Sequence, residues 1–231
     1  PLYFTSPALG PHLHDGATMT TTRFDVIGIG NAIVDVIAHA DDDFLAAEGL
    51  ERGAMTIVEA ERLIALYDRV GPAVKCSGGS AANTIAGLVS LGGRGAFIGK
   101  IRNDHLGDFF RHDIRATGVT FDTPAATAGP QTATSLILVS PDAQRTMQTF
   151  LGACAGLGPD DIDEDAIAAA EVTYLEGYLW DPPEAKKACI KAAEIAHAAG
   201  REISLSLSDP FCVDRHRADF LDLAENHVDI L

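Results

Sequence analysis

The chain has 231 residues, of which 47% are hydrophobic, and its formal net charge is -16. The length allows one large α/β domain with a sizeable core, and the hydrophobic share excludes a disordered chain. The acidic balance disfavours nucleic acid or an anionic membrane as partner, because both need clustered Lys and Arg. One local site can still hold an anionic nucleotide, so we expect a small-molecule partner.

Residues 1–22 have no hydrophobic period and contain Pro, Gly, His12 and His14. They lack the apolar run of a signal peptide, so we interpret them as an N-terminal extension, disordered or tag-like. In this interpretation the two histidines are not metal ligands. No run of about 18 uncharged apolar residues predicts a membrane helix elsewhere.

Four widely spaced cysteines form no CxxC pair, which is typical of reduced thiols in a cytoplasmic protein. We expect most of them to pack in the core. They are Cys76, Cys154, Cys189 and Cys212.

Strand and helix signals alternate along the rest of the chain. Short apolar, often β-branched runs predict strands; they lie at 24–30, 33–38, 54–58, 96–99, 119–121, 134–139, 172–175, 203–207 and 228–231. Amphipathic spacing with acidic starts and glycine stops predicts helices; they lie at 41–46, 59–70, 81–91, 104–117, 165–170, 183–199 and 215–226.

The order of these elements predicts an α/β fold: a mostly parallel sheet flanked by helices on both faces. Strands within about 33–58 and 119–150 do not fit the alternation and predict a small second sheet. Because Leu231 falls inside an apolar strand pattern, we expect the 231 residues to be part of a longer protein.

Asn31 and Asp35 follow the first strand. A carboxylate inside an apolar run is costly to bury unless something satisfies it, and a vicinal diol would do so. Alternatively, Asp35 lies on the wet face of a strand. The turn Gly28-x-Gly30 is not a dinucleotide fingerprint, because the third glycine is replaced by Ile33.

The segment from Gly78 to Asn83, GGSAAN, is the strongest local signal. Two glycines let a backbone approach a ligand closely, and Ser80 can cap the helix that follows. Asn83 then lies in the first helical turn. A helix N-terminus suggests a phosphate site, although no Walker ending is present; a plain strand–helix turn is the alternative.

Two further segments carry charge near strand ends. In the segment from Lys100 to Asp104 either the basic residues and Asn103 reach a ligand, or Asn103 or Asp104 caps a helix while the lysine is solvated. Capping by Asp104 is favoured. Arg145 follows a turn and is either a solvated charge or a phosphate clamp.

Together these residues resemble the PfkB, or ribokinase, family of carbohydrate kinases over 24–231. The segment from Gly78 to Gly107 is similar to the first signature of that family. Within the family the adenosine kinases are most similar, through GIGNAIVDVIAHADDDFL, GGSAANT, YLEGYLW and ISLSLSDPF. The resemblance implies a ribokinase-like α/β domain with a small β-sheet lid, in the cytoplasm, with a role in purine salvage.

The resemblance also implies an activity and a set of roles. The enzyme would use Mg²⁺ and ATP to phosphorylate the 5′-hydroxyl of a nucleoside. The carboxylate of Asp35 would bind the ribose hydroxyls. The turn 78–79 would then hold sugar hydroxyls rather than phosphates. The implied residues that line the substrate are Asn31, Asp35, Gly78, Gly79, Asn83 and, near the base, Tyr178. Arg145 would stabilise the transferred phosphate.

One feature of the family is missing from these residues: the Gly-Ala-Gly-Asp turn that carries its catalytic aspartate. We therefore expect negligible turnover by the 231 residues alone. A sugar kinase of the same family and a noncatalytic nucleoside- or sugar-binding protein are the competing functions. Monomer and homodimer both remain open.

Overall fold

The computed structural model describes residues 22–231. The interpretation of residues 1–22 therefore lies, apart from Thr22, outside the described part. Nine strands are present there: β1 (Phe24–Ile29), β2 (Ile33–His39), β3 (Met55–Ile57), β4 (Ala73–Gly78), β5 (Gly95–Ile98), β6 (Ala133–Val139), β7 (Arg145–Phe150), β8 (Ala170–Glu176) and β9 (Glu202–Ser206). Seven α-helices accompany them: α1 (Asp42–Ala47), α2 (Ala60–Tyr67), α3 (Ser80–Ser90), α4 (His105–Ala116), α5 (Glu164–Ala168), α6 (Pro183–Ala198) and α7 (Pro210–Asn226).

The strands form two sheets. The core sheet has the order β5-β1-β8-β9, and all of its pairs are parallel. The lid sheet has the order β3-β7-β6-β2-β4 and mixes parallel with antiparallel pairs. The predicted α/β fold with helices around a mostly parallel sheet and a small second sheet is confirmed.

Two apolar clusters hold this arrangement. One packs α5, α6 and α7 against one face of the core sheet. The other begins under α3 and continues through α4 and α2 to the inner face of the lid sheet, where Val34, Val36, Leu136 and Leu138 point inward. Because the lid shares a core with α4, the face that carries these four side chains is buried, and Asp35 lies on the opposite face.

The predicted lid boundaries need two corrections. β4 belongs to the lid sheet, although 73–78 lies outside both predicted ranges. Conversely, 119–121 forms no lid strand, because Thr120 makes only an isolated parallel bridge to Ala96 at the edge of the core sheet. The prediction that 119–121 joins the lid is wrong, because so short a run does not indicate which sheet it joins.

The C-terminal elements also differ in detail. α7 begins at Pro210 rather than at 215, since Asp209 accepts from the backbone N–H of Cys212 at 2.7 Å and caps the helix. The predicted strand at 228–231 is reduced to one bridge between Ser204 and Ile230. No helix in the described part is long and apolar enough to cross a membrane.

Candidate substrate site

Asp35 lies in a row of side chains that crosses the lid sheet. The backbone pairing places Asp35 opposite Cys76 on β4 and Ser135 on β6, and Ser135 opposite Thr149 on β7. Paired positions in neighbouring strands direct their side chains to the same face. The row continues to Ile57 on β3.

The carboxylate of Asp35 is partly buried, and no group of residues 22–231 donates a hydrogen bond to it. Burial raises the pKa of Asp35 to about 6, and the positive charge of Arg145 acts in the opposite direction. Partial burial removes some of the hydration of this acceptor, and no donor within residues 22–231 replaces it. Hydroxyl groups of a ligand would supply the missing donors.

Positions 78 and 79 have no room for a side chain, because other atoms of the protein lie directly against both glycines. A Cβ atom at Gly78 would collide with the carboxylate of Asp35, and one at Gly79 with the backbone carbonyl of Asn31. Gly79 also has φ of 98°, which favours glycine. Because neither glycine has a side chain, Gly78 can lie against Asp35 and Gly79 can lie against Asn31.

Glu176, at the end of β8, joins three segments of the site. One carboxylate oxygen accepts from the backbone N–H of Asn31 at 2.7 Å and from its side-chain amide at 3.0 Å. The other accepts from the hydroxyl of Ser80 and from the backbone N–H of Ala81 at 3.2 Å. Glu176 is 1% exposed, so these four donors replace its hydration.

The pKa of Glu176 is raised by burial, against which the donors from Ser80, Asn31 and Ala81 act. The sequence analysis missed this residue, although YLEGYLW contained it. The signal was the same as for Asp35, namely an acid at the end of a buried apolar strand. That signal indicates a satisfied carboxylate without saying which groups satisfy it.

Ser80 does not cap α3, contrary to the prediction. Gly79 occupies the N-cap position, and Ser80 is the first residue of the helix. The hydroxyl of Ser80 is donated to Glu176 instead. The capping role was wrong because a buried carboxylate competes better for the hydroxyl than the backbone N–H groups do.

Asn83 lies in the first turn of α3, where its backbone N–H donates to the carbonyl of Gly79 at 2.9 Å. The side chain is exposed and has no hydrogen-bond partner among residues 22–231. Asn83 therefore flanks the same turn that Asp35 contacts from the lid. Its amide is available to a ligand placed over that turn.

Arg145 is the first residue of β7 and is exposed. Four positions separate it from Thr149 along the strand, so the two side chains share a face with Asp35. Its charge lowers the pKa of Asp35, which places the guanidinium within electrostatic range of the carboxylate. The structure thus brings Arg145 towards the row that crosses the lid.

The segment after β5 stabilises local structure. Asp104 accepts from the backbone N–H of Gly107 at 2.8 Å, so the predicted cap of α4 is confirmed. Lys100 is not solvated: its ammonium pairs with Asp161, and both side chains are mostly buried. Arg102 has one buried guanidinium nitrogen without a partner in the described part of the chain.

Tyr178 lies in the 3₁₀ turn Gly177–Trp180 after β8. Its backbone N–H donates to the hydroxyl of Ser208 at 3.1 Å. Burial and then a hydrogen bond to Asp209 raise the pKa of the phenol. These contacts place Tyr178 against the start of α7, and no hydrogen bond within residues 22–231 joins it to Asp35 or Asn31.

Metal-binding and thiol chemistry find little support in the described residues. No group of three His, Cys, Asp or Glu side chains within 22–231 is placed to hold a metal ion. All four cysteines are free, and three are buried as expected. Cys76 is half-buried beside Asp35, and desolvation raises the pKa of its thiol.

A mixed lid sheet that carries an unsatisfied acid over a Gly-Gly turn, on a parallel core sheet, defines a ribokinase-like α/β fold. Comparison with known proteins agrees. Residues 63–231 match the sequence profile of the pfkB family carbohydrate kinases. The chain belongs to that family.

Two solved structures are similar in both sequence and fold. The adenosine kinase from Sinorhizobium meliloti is 55% identical with a TM-score of 0.84, and 90% of this chain covers 64% of that one. A probable sugar kinase protein from Rhizobium etli CFN 42 is 54% identical with a TM-score of 0.85. The match covers 90% of this chain and 63% of that one.

Among curated proteins, the probable fructokinase-4 of Arabidopsis thaliana is 30% identical over 138 residues, which cover 57% of this chain and 41% of the relative. The 5-dehydro-2-deoxygluconokinase of Shouchella clausii is 28% identical over 191 residues, which cover 80% of this chain and 51% of the relative. The chain therefore spans about two fifths to two thirds of the length of these relatives.

Proposed function

We propose that the protein is an ATP-dependent kinase that phosphorylates the 5′-hydroxyl of adenosine or a related nucleoside. The observation that carries this proposal is the carboxylate of Asp35, which is partly buried over Gly78 and has no donor in residues 22–231. A vicinal diol offers two adjacent hydroxyl donors to one carboxylate. The similarity to an adenosine kinase supports a nucleoside as the carrier of that diol.

The roles that we propose are arranged around the turn 78–79. The ribose would lie between the lid and that turn, in contact with Asn31, Asp35, Gly78, Gly79 and Asn83. Arg145 would reach the transferred phosphoryl group from the lid, and Tyr178 would lie towards the base. Because phosphoryl transfer depends mainly on positioning and charge stabilisation, such a site contributes by fixing the acceptor hydroxyl.

The phosphoryl donor is part of the same proposal. Membership of the family supports ATP and Mg²⁺, although the described residues supply no cluster of metal ligands. A cytoplasmic location, a role in purine salvage and a monomeric or homodimeric state also belong to the proposal.

A sugar kinase is the second candidate. The fructokinases among the relatives and the probable sugar kinase among the structures favour it. A free sugar also carries vicinal hydroxyls that Asp35 can accept from. The two candidates therefore differ in what the ligand carries beyond its diol.

Isothermal titration calorimetry with adenosine, ribose and fructose separates the candidates. We expect adenosine to bind at least about tenfold more tightly than either sugar, a difference of about 1.4 kcal/mol. Formation of AMP by the full-length protein with Mg-ATP then tests catalysis. Preferential binding of a sugar would make the protein a sugar kinase, and binding of adenosine without AMP formation would make it a noncatalytic binding protein.

A further inference from the structure

Two hydroxyl groups stand next to Asp35 in the row that crosses the lid. Ser135 lies on the neighbouring strand and Thr149 on the strand after that. Their oxygens are 2.9 Å apart and form a hydrogen bond. The two residues are 4% and 6% exposed, so little of either side chain is open to water.

The pair has two hydroxyl protons but makes only one hydrogen bond within residues 22–231. Each hydroxyl has one proton to donate, and the bond between them uses one of the two. Among residues 22–231 neither Ser135 nor Thr149 makes another hydrogen bond, not even to the carboxylate of Asp35. One hydroxyl proton of the pair therefore has no acceptor within residues 22–231.

The position of the pair defines where an acceptor would have to be. Neighbouring strands are about 4.8 Å apart, so Ser135 and Thr149 lie about 5 and 10 Å from the strand of Asp35. A ligand whose diol contacts Asp35 would reach them with atoms beyond that diol. Ile57, the next member of the row, is 53% exposed and offers an apolar contact at the same end.

We propose that the Ser135–Thr149 pair donates its second hydrogen bond to a ring nitrogen of a nucleobase, and that this bond selects a nucleoside over a free sugar. The inference rests on the proposed function and names the part of the site that recognises the base. A nucleoside places acceptor nitrogens and a flat apolar ring beyond its ribose. A free sugar carries neither.

A site built to hydrogen-bond a ligand atom rejects analogues that lack this atom, because its buried polar groups are then left unpaired. The probes are adenosine, ribose, and the three deaza-adenosines in which N1, N3 or N7 is replaced by C–H. The variants are Ser135→Ala, Thr149→Val and the double variant, each smaller than or equal in size to the native residue. Binding is measured by calorimetry, and folding is checked by thermal unfolding.

We expect the double variant to bind adenosine at least about tenfold more weakly than the wild-type protein does. One of the deaza-adenosines should bind to wild-type and variant alike, because it lacks the nitrogen that the pair recognises. Affinity for ribose should not change. If the double variant unfolds, the single variants make the same comparison.

Thr173→Val is the matched control. The hydroxyl of Thr173 is buried and has no partner within residues 22–231, but it lies in β8 of the core sheet. Its removal should leave the affinity for adenosine within about twofold of the wild-type value. A loss in this variant equal to that of the double variant would show that orphaned hydroxyls affect binding only through the fold, which would overturn the assignment.

The outcomes separate this inference from the proposed function. If wild-type and double variant bind adenosine equally, or if the double variant weakens all three deaza-adenosines equally, the role of the pair is refuted while nucleoside binding stands. If the wild-type protein binds ribose or fructose and no nucleoside, the proposed function fails, and the selection by the pair fails with it.

Discussion

Asn31 donates to Glu176 twice, from its backbone N–H at 2.7 Å and from its side-chain amide at 3.0 Å. The same carboxylate accepts from Ser80 and Ala81 at the start of α3. One buried acid thus fixes the end of β1 relative to the turn 78–79. The segments that would hold the sugar are already in place without a ligand, which lowers the entropic cost of binding.

Replacing this acid should weaken both the fold and the site. In Glu176→Ala four donors, most of them buried, lose their acceptor, and we expect the free energy of unfolding to fall by at least about 2 kcal/mol. Amide hydrogen exchange at Asn31 and Ala81 should accelerate more than the global loss of stability explains.

Glu171→Gln is the control, because Glu171 lies in the same strand and is exposed. It should change the free energy of unfolding by less than about 0.5 kcal/mol. Equal effects of the two substitutions would contradict the assignment of Glu176 as the residue that positions Asn31.

The glycine at position 78 is predicted to be irreplaceable. In Gly78→Ala the new Cβ atom meets the carboxylate of Asp35, which must move away from the turn. We expect the affinity for the substrate to fall by at least about tenfold. The control is Gly71→Ala, since nothing lies within 4 Å of a Cβ atom there. Unchanged binding by Gly78→Ala would show that Asp35 is not used in this position.

Asp35 should destabilise the unliganded protein at neutral pH. Its native pKa of about 6 exceeds the ordinary value of 3.8, so the native state holds this proton more tightly than the unfolded chain does. The stabilising contribution is complete below the unfolded value and is lost as the pH rises through about 6. Asp35→Asn should therefore be more stable than wild type by about 2 kcal/mol at about pH 8, and near parity at about pH 4. Denaturant titrations at the two pH values measure this difference, and a pH-independent difference would contradict the raised pKa.

Arg145 is predicted to act on the same carboxylate. Because its charge lowers the pKa of Asp35, Arg145→Gln should raise that pKa further. Affinity for a diol should then increase with pH over a range shifted upward from that of the wild-type protein. Titration of the Asp35 carboxyl carbon by NMR measures the shift. Arg115→Gln, which removes the partner of Asp122, is the control and should leave the titration of Asp35 unchanged.

Much of the fold could be predicted because its signals are local. The buried strands of the core sheet are short apolar runs, and the cap of α4 by Asp104 follows from one residue at a helix start. The position of β4 could not be predicted in the same way. Its residues alternate weakly, and its place beside β2 depends on pairing with a strand about 40 residues earlier.

The site divides in a similar way. Asp35 and the double glycine could be proposed as site residues from the sequence, because an acid in an apolar run and paired glycines are unusual locally. Glu176 and the Ser135–Thr149 pair were missed, because their meaning comes from residues far away in the chain. The Glu176–Asn31 contact spans 145 positions, and only the folded register places Ser135 beside Asp35.

The central claim is that the carboxylate of Asp35 accepts the vicinal hydroxyls of the substrate. The most direct measurement compares the binding of adenosine and 2′,3′-dideoxyadenosine to the wild-type protein and to Asp35→Asn by calorimetry. We predict that the wild-type protein prefers adenosine by at least about 100-fold, or about 2.7 kcal/mol, and that Asp35→Asn abolishes most of this preference. An equal preference in both proteins would contradict the claim.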